Sequence, residues 1–147
     1  MKVLFATFEL APFTKVGGLA DVMGSLPKYL ESDDMEMAIF TPLIGSIDRN
    51  KYNIQDIPNS QLKMKFGWAE YVFTLKMCKL PDTNINVFFI DNPKFFSCFN
   101  CVYPSGIDSW YEQERFITFS KAILPVRMFI YLMVGIYSAK CQKCQKI

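Results

Sequence analysis

The residues best suited to chemistry stand together near the start of the chain, in PFTKVGGLADV, where Lys15 precedes Gly17 and Gly18, and Asp21 follows them. Glycines allow positive φ and leave no Cβ between the main chain and a ligand, and a helix start offers unpaired N–H groups to an anion. A lysine just before such a turn adds a full positive charge on a flexible stem, which suits a diphosphate. The bland alternative is a tight turn with a solvated lysine. Asp21 has two readings: it complements the helix dipole, or it holds Lys15 or a sugar hydroxyl. The stretch is not a Walker loop, because no glycine-lysine-serine/threonine follows, and it lacks G-x-G-x-x-G. A mononucleotide ATPase and a nicotinamide dehydrogenase are therefore disfavoured.

Other chemistry is scarce. The chain has no histidine, which removes an imidazole base or ligand. Cys98 with Cys101 and Cys141 with Cys144 form two CxxC pairs, a remote zinc option because 39 residues separate them. Five cysteines in a chain with this much core material fit reduced thiols and a cytoplasmic protein.

The elements that must position the lysine and glycines follow from periodicity. Lys2 to Phe8 is a short apolar run, read as a strand covered on both faces. After the loop Glu9 to Gly18, the residues Leu19, Val22, Met23, Leu26 and Leu30 mark one face of a helix that Pro27 should kink or restart. Met35 to Thr41 gives the next strand, completing a βαβ unit with a right-handed crossover. Leu62 to Phe66 and Glu70 to Leu80 read as a hairpin or two edge strands, and Asn86 to Ile90 as a buried strand. A helix from Trp110 should stop at Leu124, because Pro125 disfavours helical geometry there.

Length and composition fit one globular unit or part of a larger one: 147 residues, 51% hydrophobic, 20% charged, net charge +2. That charge gives no reason to invoke nucleic acid. The balance is uneven, however. No acidic residue follows Glu114, and Pro125 to Ile147 carries four bases and several apolar residues. This tail is too short for an ordinary membrane span, which takes roughly 20 apolar residues.

MKVLFATFELAPFTKVGGLADVMGSLPKYL resembles the amino terminus of bacterial glycogen synthases and plant starch synthases, with their K-[TV]-G-G-L-[AG]-D-V signature. FFIDNPKFF (Phe88 to Phe96) and ERFITFSKAIL (Glu114 to Leu124) are similar to two later motifs of that family. The resemblance implies the incomplete Rossmann-like N-terminal domain of a two-domain GT-B glycosyltransferase: α/β, mostly parallel, with an irregular β-rich insertion. It implies a partial catalytic domain over residues 1–124 and a divergent tail over 125–147. The implied reaction is transfer of glucose from ADP-glucose to the non-reducing end of an α-1,4-glucan, with no cofactor and no metal. Lys15, Gly17, Gly18 and Asp21 are the implied ADP-glucose contacts, and no catalytic residue is assigned. Two local departures stand out: Tyr111-Glu112 replaces a usual Asp-Asn pair, and Ser32-Asp33 replaces a usual glycine. The second domain is not matched, so a shortened product, weak or inactive by itself, is the expectation. A non-catalytic fragment or binding module is the alternative.

Overall fold

A computed structural model describes residues 1–142 other than Asp33 and Gly67, with side chains as far as Val126. The elements in order are β1 (Lys2–Ala6), α1 (Gly18–Leu30), β2 (Glu36–Pro42), β3 (Gln55–Asp56), β4 (Leu62–Phe66), β5 (Ala69–Lys79), β6 (Asn86–Asp91), a π-helical turn (Pro93–Ser97) and α2 (Ser109–Gln142). β1, β2 and β6 pair in parallel, with Phe5 opposite Ile39 and Phe40 opposite Phe88. β5 runs antiparallel to β6 through Thr74–Lys79, to β4 through Ala69–Phe73, and to the short β3 at Lys76 and Met77. The result is an α/β chain whose parallel strands continue into a β-rich insertion, as the sequence leads one to expect. Lys76 fastens that insertion: its ammonium pairs with Asp56 of β3 and lies 3.7 Å from Asp91 of β6.

The core is centred on β2 and β6. Ile39, Phe40, Val87, Phe89 and Ile90 are almost wholly enclosed, and the Phe40 and Phe88 rings stack at 5.4 Å. Phe8, just after β1, meets Phe116 at 4.4 Å and Phe119 at 4.8 Å, which seats α2 against the end of the first strand. Aromatic pairs of this kind add roughly 0.5–1.5 kcal/mol beyond the area they bury.

Three expectations need correction. β1 is not covered on both faces; it is the edge strand of the sheet, with exposed and half-buried residues alternating along it. The apolar face of α1 is buried only in part, through Met23, which packs against the core. Leu19, Val22, Leu26 and Leu30 remain 39–53% exposed, and only Ala20 and Pro27 are enclosed. Among the described residues no strand pairs with β1 on its far side. Finally, Pro27 does not restart α1, and Pro125 does not end its helix. α1 passes through Pro27 and α2 passes through Pro125. A helical proline loses one backbone bond, but Ala122 and Val126 are both fully buried on either side of Pro125, and this packing carries α2 onward. The Ser32-Asp33 departure falls partly outside the described residues.

α1 lies against the loop that leads to it. A Cβ on Gly24 would stand 2.6 Å from the Ala11 carbonyl oxygen, and Ala11 N–H donates to Ala20 O at 3.1 Å. Gly24→Ala should therefore push α1 off the loop and lower stability by about 1–3 kcal/mol, read as a lower urea midpoint with unchanged slope.

Candidate functional site

The loop between β1 and α1 is built from the inside outward. Thr7 ties it to the sheet, its N–H donating to Phe40 O at 3.0 Å and its hydroxyl to Glu9 O at 2.7 Å. Leu10 and Thr14 exchange backbone bonds across a turn containing a cis Ala11–Pro12 peptide, and Leu10 and Phe13 enter the core. The strand end and the loop's apolar residues thus fix both ends of the segment that carries Lys15.

Glu9 organises the rest of the loop. It is 4% exposed. Its Oε2 accepts from Gly17 N–H at 2.8 Å and Val16 N–H at 3.1 Å, while Oε1 accepts the Tyr103 hydroxyl at 2.8 Å. Burial opposes the charge, but these donors together hold the Glu9 carboxyl below its ordinary value of 4.5. Tyr103 is pushed up to about 12 by desolvation of its phenol and by Glu9, so its hydroxyl remains a donor. Sequence reasoning passed over Glu9, because its partner Tyr103 stands 94 residues away.

The four sequence-predicted residues are all brought to this loop. Gly17 is the N-cap of α1 with φ −135° and ψ −169°, and Gly18 is the first helical residue. Neither has positive φ, which corrects the expectation that the glycines serve an unusual backbone angle. What they supply is space: nothing lies within 4 Å of a Cβ built on Gly18, and only Glu9 Oε2, at 3.9 Å, near one on Gly17. Lys15 Nζ sits 2.8 Å from Asp21 Oδ1, and both side chains are more than half exposed. Asp21 therefore holds Lys15 and also lies in the first turn of α1. The Gly17 N–H is already taken by Glu9 and the Ala20 N–H by Gly17 O at 3.2 Å, so an anion here would meet Lys15 and the Gly18 and Leu19 N–H groups at the helix start.

Arg115 is the second residue that sequence reading left without a role. It is fully buried in α2, donating from Nε to Phe95 O at 2.7 Å and from Nη1 to Val102 O at 3.0 Å, with Phe99 stacked 4.7 Å away. Its Nη2 has no partner among the described residues, and burial lowers its pKa. By gripping Val102 it sets Tyr103, and through Tyr103 it sets Glu9. Asn92 acts in a similar way, its Oδ1 accepting Lys94 N–H and Phe95 N–H at the start of the π-helical turn. Tyr111 packs on Phe95 and donates to Lys94 O. Cys98 and Cys101 are exposed thiols, no group of three or more metal-ligating side chains occurs among the described residues, and the side chains of Cys141 and Cys144 lie outside them. No helix among the described residues is long and apolar enough to cross a membrane.

An α/β sheet whose β1, β2 and β6 are parallel, with a glycine-bearing, cationic loop at the carboxyl end of its first strand, defines a class of domains that take ligands beyond those strand ends. Within that class the comparisons are specific. The profile of the starch synthase catalytic domain matches residues 2–129, and the chain belongs to that family. It is 32% identical to the glycogen synthase of Thermosipho melanesiensis over 136 residues, covering 92% of this chain and 27% of that protein. It is 35% identical to the glycogen synthase of Pseudothermotoga lettingae over 140 residues, covering 88% and 26%. Among solved structures it is similar to the catalytic domain of starch synthase IV from Arabidopsis thaliana bound to ADP and acarbose, with TM-score 0.69, 26% identity, and coverage of 86% of this chain and 25% of that one. The chain thus spans about a quarter of the length of these relatives.

The lowered Glu9 pKa fixes the sign of an acid effect. Stability from Glu9 is fully present above its unfolded value and is lost as pH falls through the lower folded one. Glu9→Gln should cost about 1–3 kcal/mol near neutrality, as hydrogen bonds to a charged group do. Thermal melts should show the gap between Glu9→Gln and the parent closing as pH drops below the usual carboxylate range, and a gap independent of pH would remove this account.

Proposed function

We propose that this chain forms one wall of the donor site of a glycogen or starch synthase, an enzyme that moves glucose from ADP-glucose to the non-reducing end of an α-1,4-glucan. Lys15, Gly17, Gly18 and Asp21 are the residues assigned to ADP-glucose. The observation that carries the reading is Lys15 standing in solvent beside the open start of α1, in a chain similar to a structure bound to ADP.

The chemistry follows from charge. Breaking the bond between glucose and a nucleoside diphosphate leaves additional negative charge on the phosphate oxygens. A fixed cation at that position stabilises the transition state more than the ground state. Gly18 lets phosphate approach the backbone, and the α1 dipole adds a smaller favourable contribution. Glu9 keeps the loop in place and does not itself meet the phosphate. Neither a metal nor a cofactor is part of this proposal, and residues 125–147 are assigned no part in donor binding.

Calorimetry with ADP tests it. A lysine–phosphate contact is worth about 1.5–3 kcal/mol, so Lys15→Ala should weaken ADP binding roughly ten- to hundredfold. Gly18→Ala provides the sharper discrimination. It should leave the fold as stable as before or more stable by about 0.4–1 kcal/mol, since alanine suits a helical φ, while ADP binding falls. Unchanged ADP affinity in both variants would end the proposal. Incorporation of labelled glucose from ADP-glucose into glycogen by this chain alone should stay near background.

A further inference from the structure

Cys98 and Cys101 are a reactive pair that the donor site leaves unused. Both are exposed free thiols, three positions apart in the loop that leads from the π-helical turn to Tyr103. Residues three apart come within about 7 Å across a turn, the reach of a disulfide, and the chain turns at Cys98 and bends from Asn100 to Tyr103. The loop is pinned around them. Phe99 O accepts Gly45 N–H at 2.7 Å, and a Cβ on Gly45 would stand 2.5 Å from Ser97 O and 2.9 Å from Phe99 O, so this backbone is pressed onto Gly45. The Phe99 ring lies 4.7 Å from the Arg115 guanidinium, which also holds Val102 O at 3.0 Å. The charge of Arg115 acts on both thiols, which places the two sulfurs in one neighbourhood.

We propose that Cys98 and Cys101 form a reversible thiol–disulfide switch, closed by a low-molecular-weight disulfide and transmitted through Val102 to the contact between Tyr103 and Glu9. Desolvation raises the Cys98 thiol above its ordinary value, and its Sγ donates to Lys94 O at 3.3 Å. Cys101 therefore reacts first and Cys98 resolves. The Cys101 thiolate attacks one sulfur of the disulfide RSSR, whose S–S bond breaks, and the departing RS⁻ takes up the proton that Cys101 gave to water. The Cys98 thiolate then attacks the Cys101 sulfur of the mixed disulfide, the Cys98–Cys101 bond forms, and a second RSH leaves by the same proton exchange. The chain loses two hydrogens and two electrons, and RSSR gains them.

Closing the bond disturbs the loop at a defined point. Cys98 must turn away from Lys94 O, and Cys101 must be drawn toward Cys98. Phe99 is held at Gly45 and by its ring on Arg115, so the displacement passes the other way, into Val102 and Tyr103. The Tyr103 hydroxyl donates to Glu9 Oε1 at 2.8 Å. Hydrogen bonds weaken steeply when misaligned, so oxidation loosens Tyr103 from Glu9.

The test uses no nucleotide, so its result is independent of the donor-site proposal. The folded full chain is equilibrated with glutathione and glutathione disulfide in varied ratio, quenched with iodoacetamide and digested with trypsin. Phe95–Arg115 is then one peptide that holds Cys98 and Cys101 and no other cysteine. The expected product is that peptide unalkylated and lighter by two hydrogens, returning to the doubly alkylated form after dithiothreitol. Cys98→Ser and Cys101→Ser should each abolish it. Tyr103→Phe reads the transmission: the substitution should lower the urea midpoint of the reduced chain, and lower that of the oxidised chain by less than half as much. No bridge at any ratio, a mixed disulfide with glutathione as the end point, pairing with Cys141 or Cys144 instead, or a bridge that forms only in urea would each overturn the switch. So would a Tyr103→Phe loss that is equal in the two states or absent from the reduced one.

Discussion

The carboxylate of Glu9 is the constraint on which the candidate site depends. It is nearly enclosed, it stays ionised, and it gathers donors from its own loop and from Tyr103. A buried charge without such donors would be several kcal/mol less favourable, so the loop is held in the one arrangement that brings Val16 and Gly17 N–H to Oε2. Lys15 immediately precedes that pair and α1 immediately follows it. Fixing the two N–H groups therefore fixes the backbone that carries Lys15 and the helix start together.

The same constraint explains why three separated stretches of sequence belong together. The first contains Glu9 and the lysine-glycine loop. The second, FFIDNPKFF, ends β6 and builds the π-helical turn capped by Asn92, which presents the Phe95 carbonyl. The third, ERFITFSKAIL, lies in α2 and supplies Arg115, which binds that carbonyl and the carbonyl of Val102. Tyr103 is the next residue and completes the path to Glu9. Phe8, Phe96, Phe116 and Phe119 pack along the same route, so apolar contact and the hydrogen-bonded path reinforce one another.

Much of this was legible in the sequence, and the failures have physical causes. Local patterns gave β1, the loop, α1, β2, the β4–β5 hairpin and β6 nearly at their observed bounds, because periodicity and turn residues report local geometry. Periodicity also identified the stripe of α1, but it reports which residues favour burial and cannot report whether anything lies over them. Pro125 misled because the backbone preference of one residue was outweighed by packing at Ala122 and Val126. Glu9 and Arg115 were invisible as a path because each acts through a carbonyl or hydroxyl distant in the chain. Gly17 and Gly18 stood out in the sequence for a positive φ that the backbone angles do not support.

The pairing of Lys15 with Asp21 then matters for how such a site works. Both groups are exposed, and an ion pair of that kind contributes only about 0.2–1 kcal/mol in water. Under the donor-site proposal a charge-assisted contact with a phosphate oxygen, worth about 1.5–3 kcal/mol, would take Lys15 from Asp21. Glu9 cannot be displaced so easily, since its partners are backbone groups in a buried setting. The loop thus combines a rigid base with a loosely held, exposed cation, and rigidity at Glu9 is what makes the weak partner at Asp21 sufficient to place it.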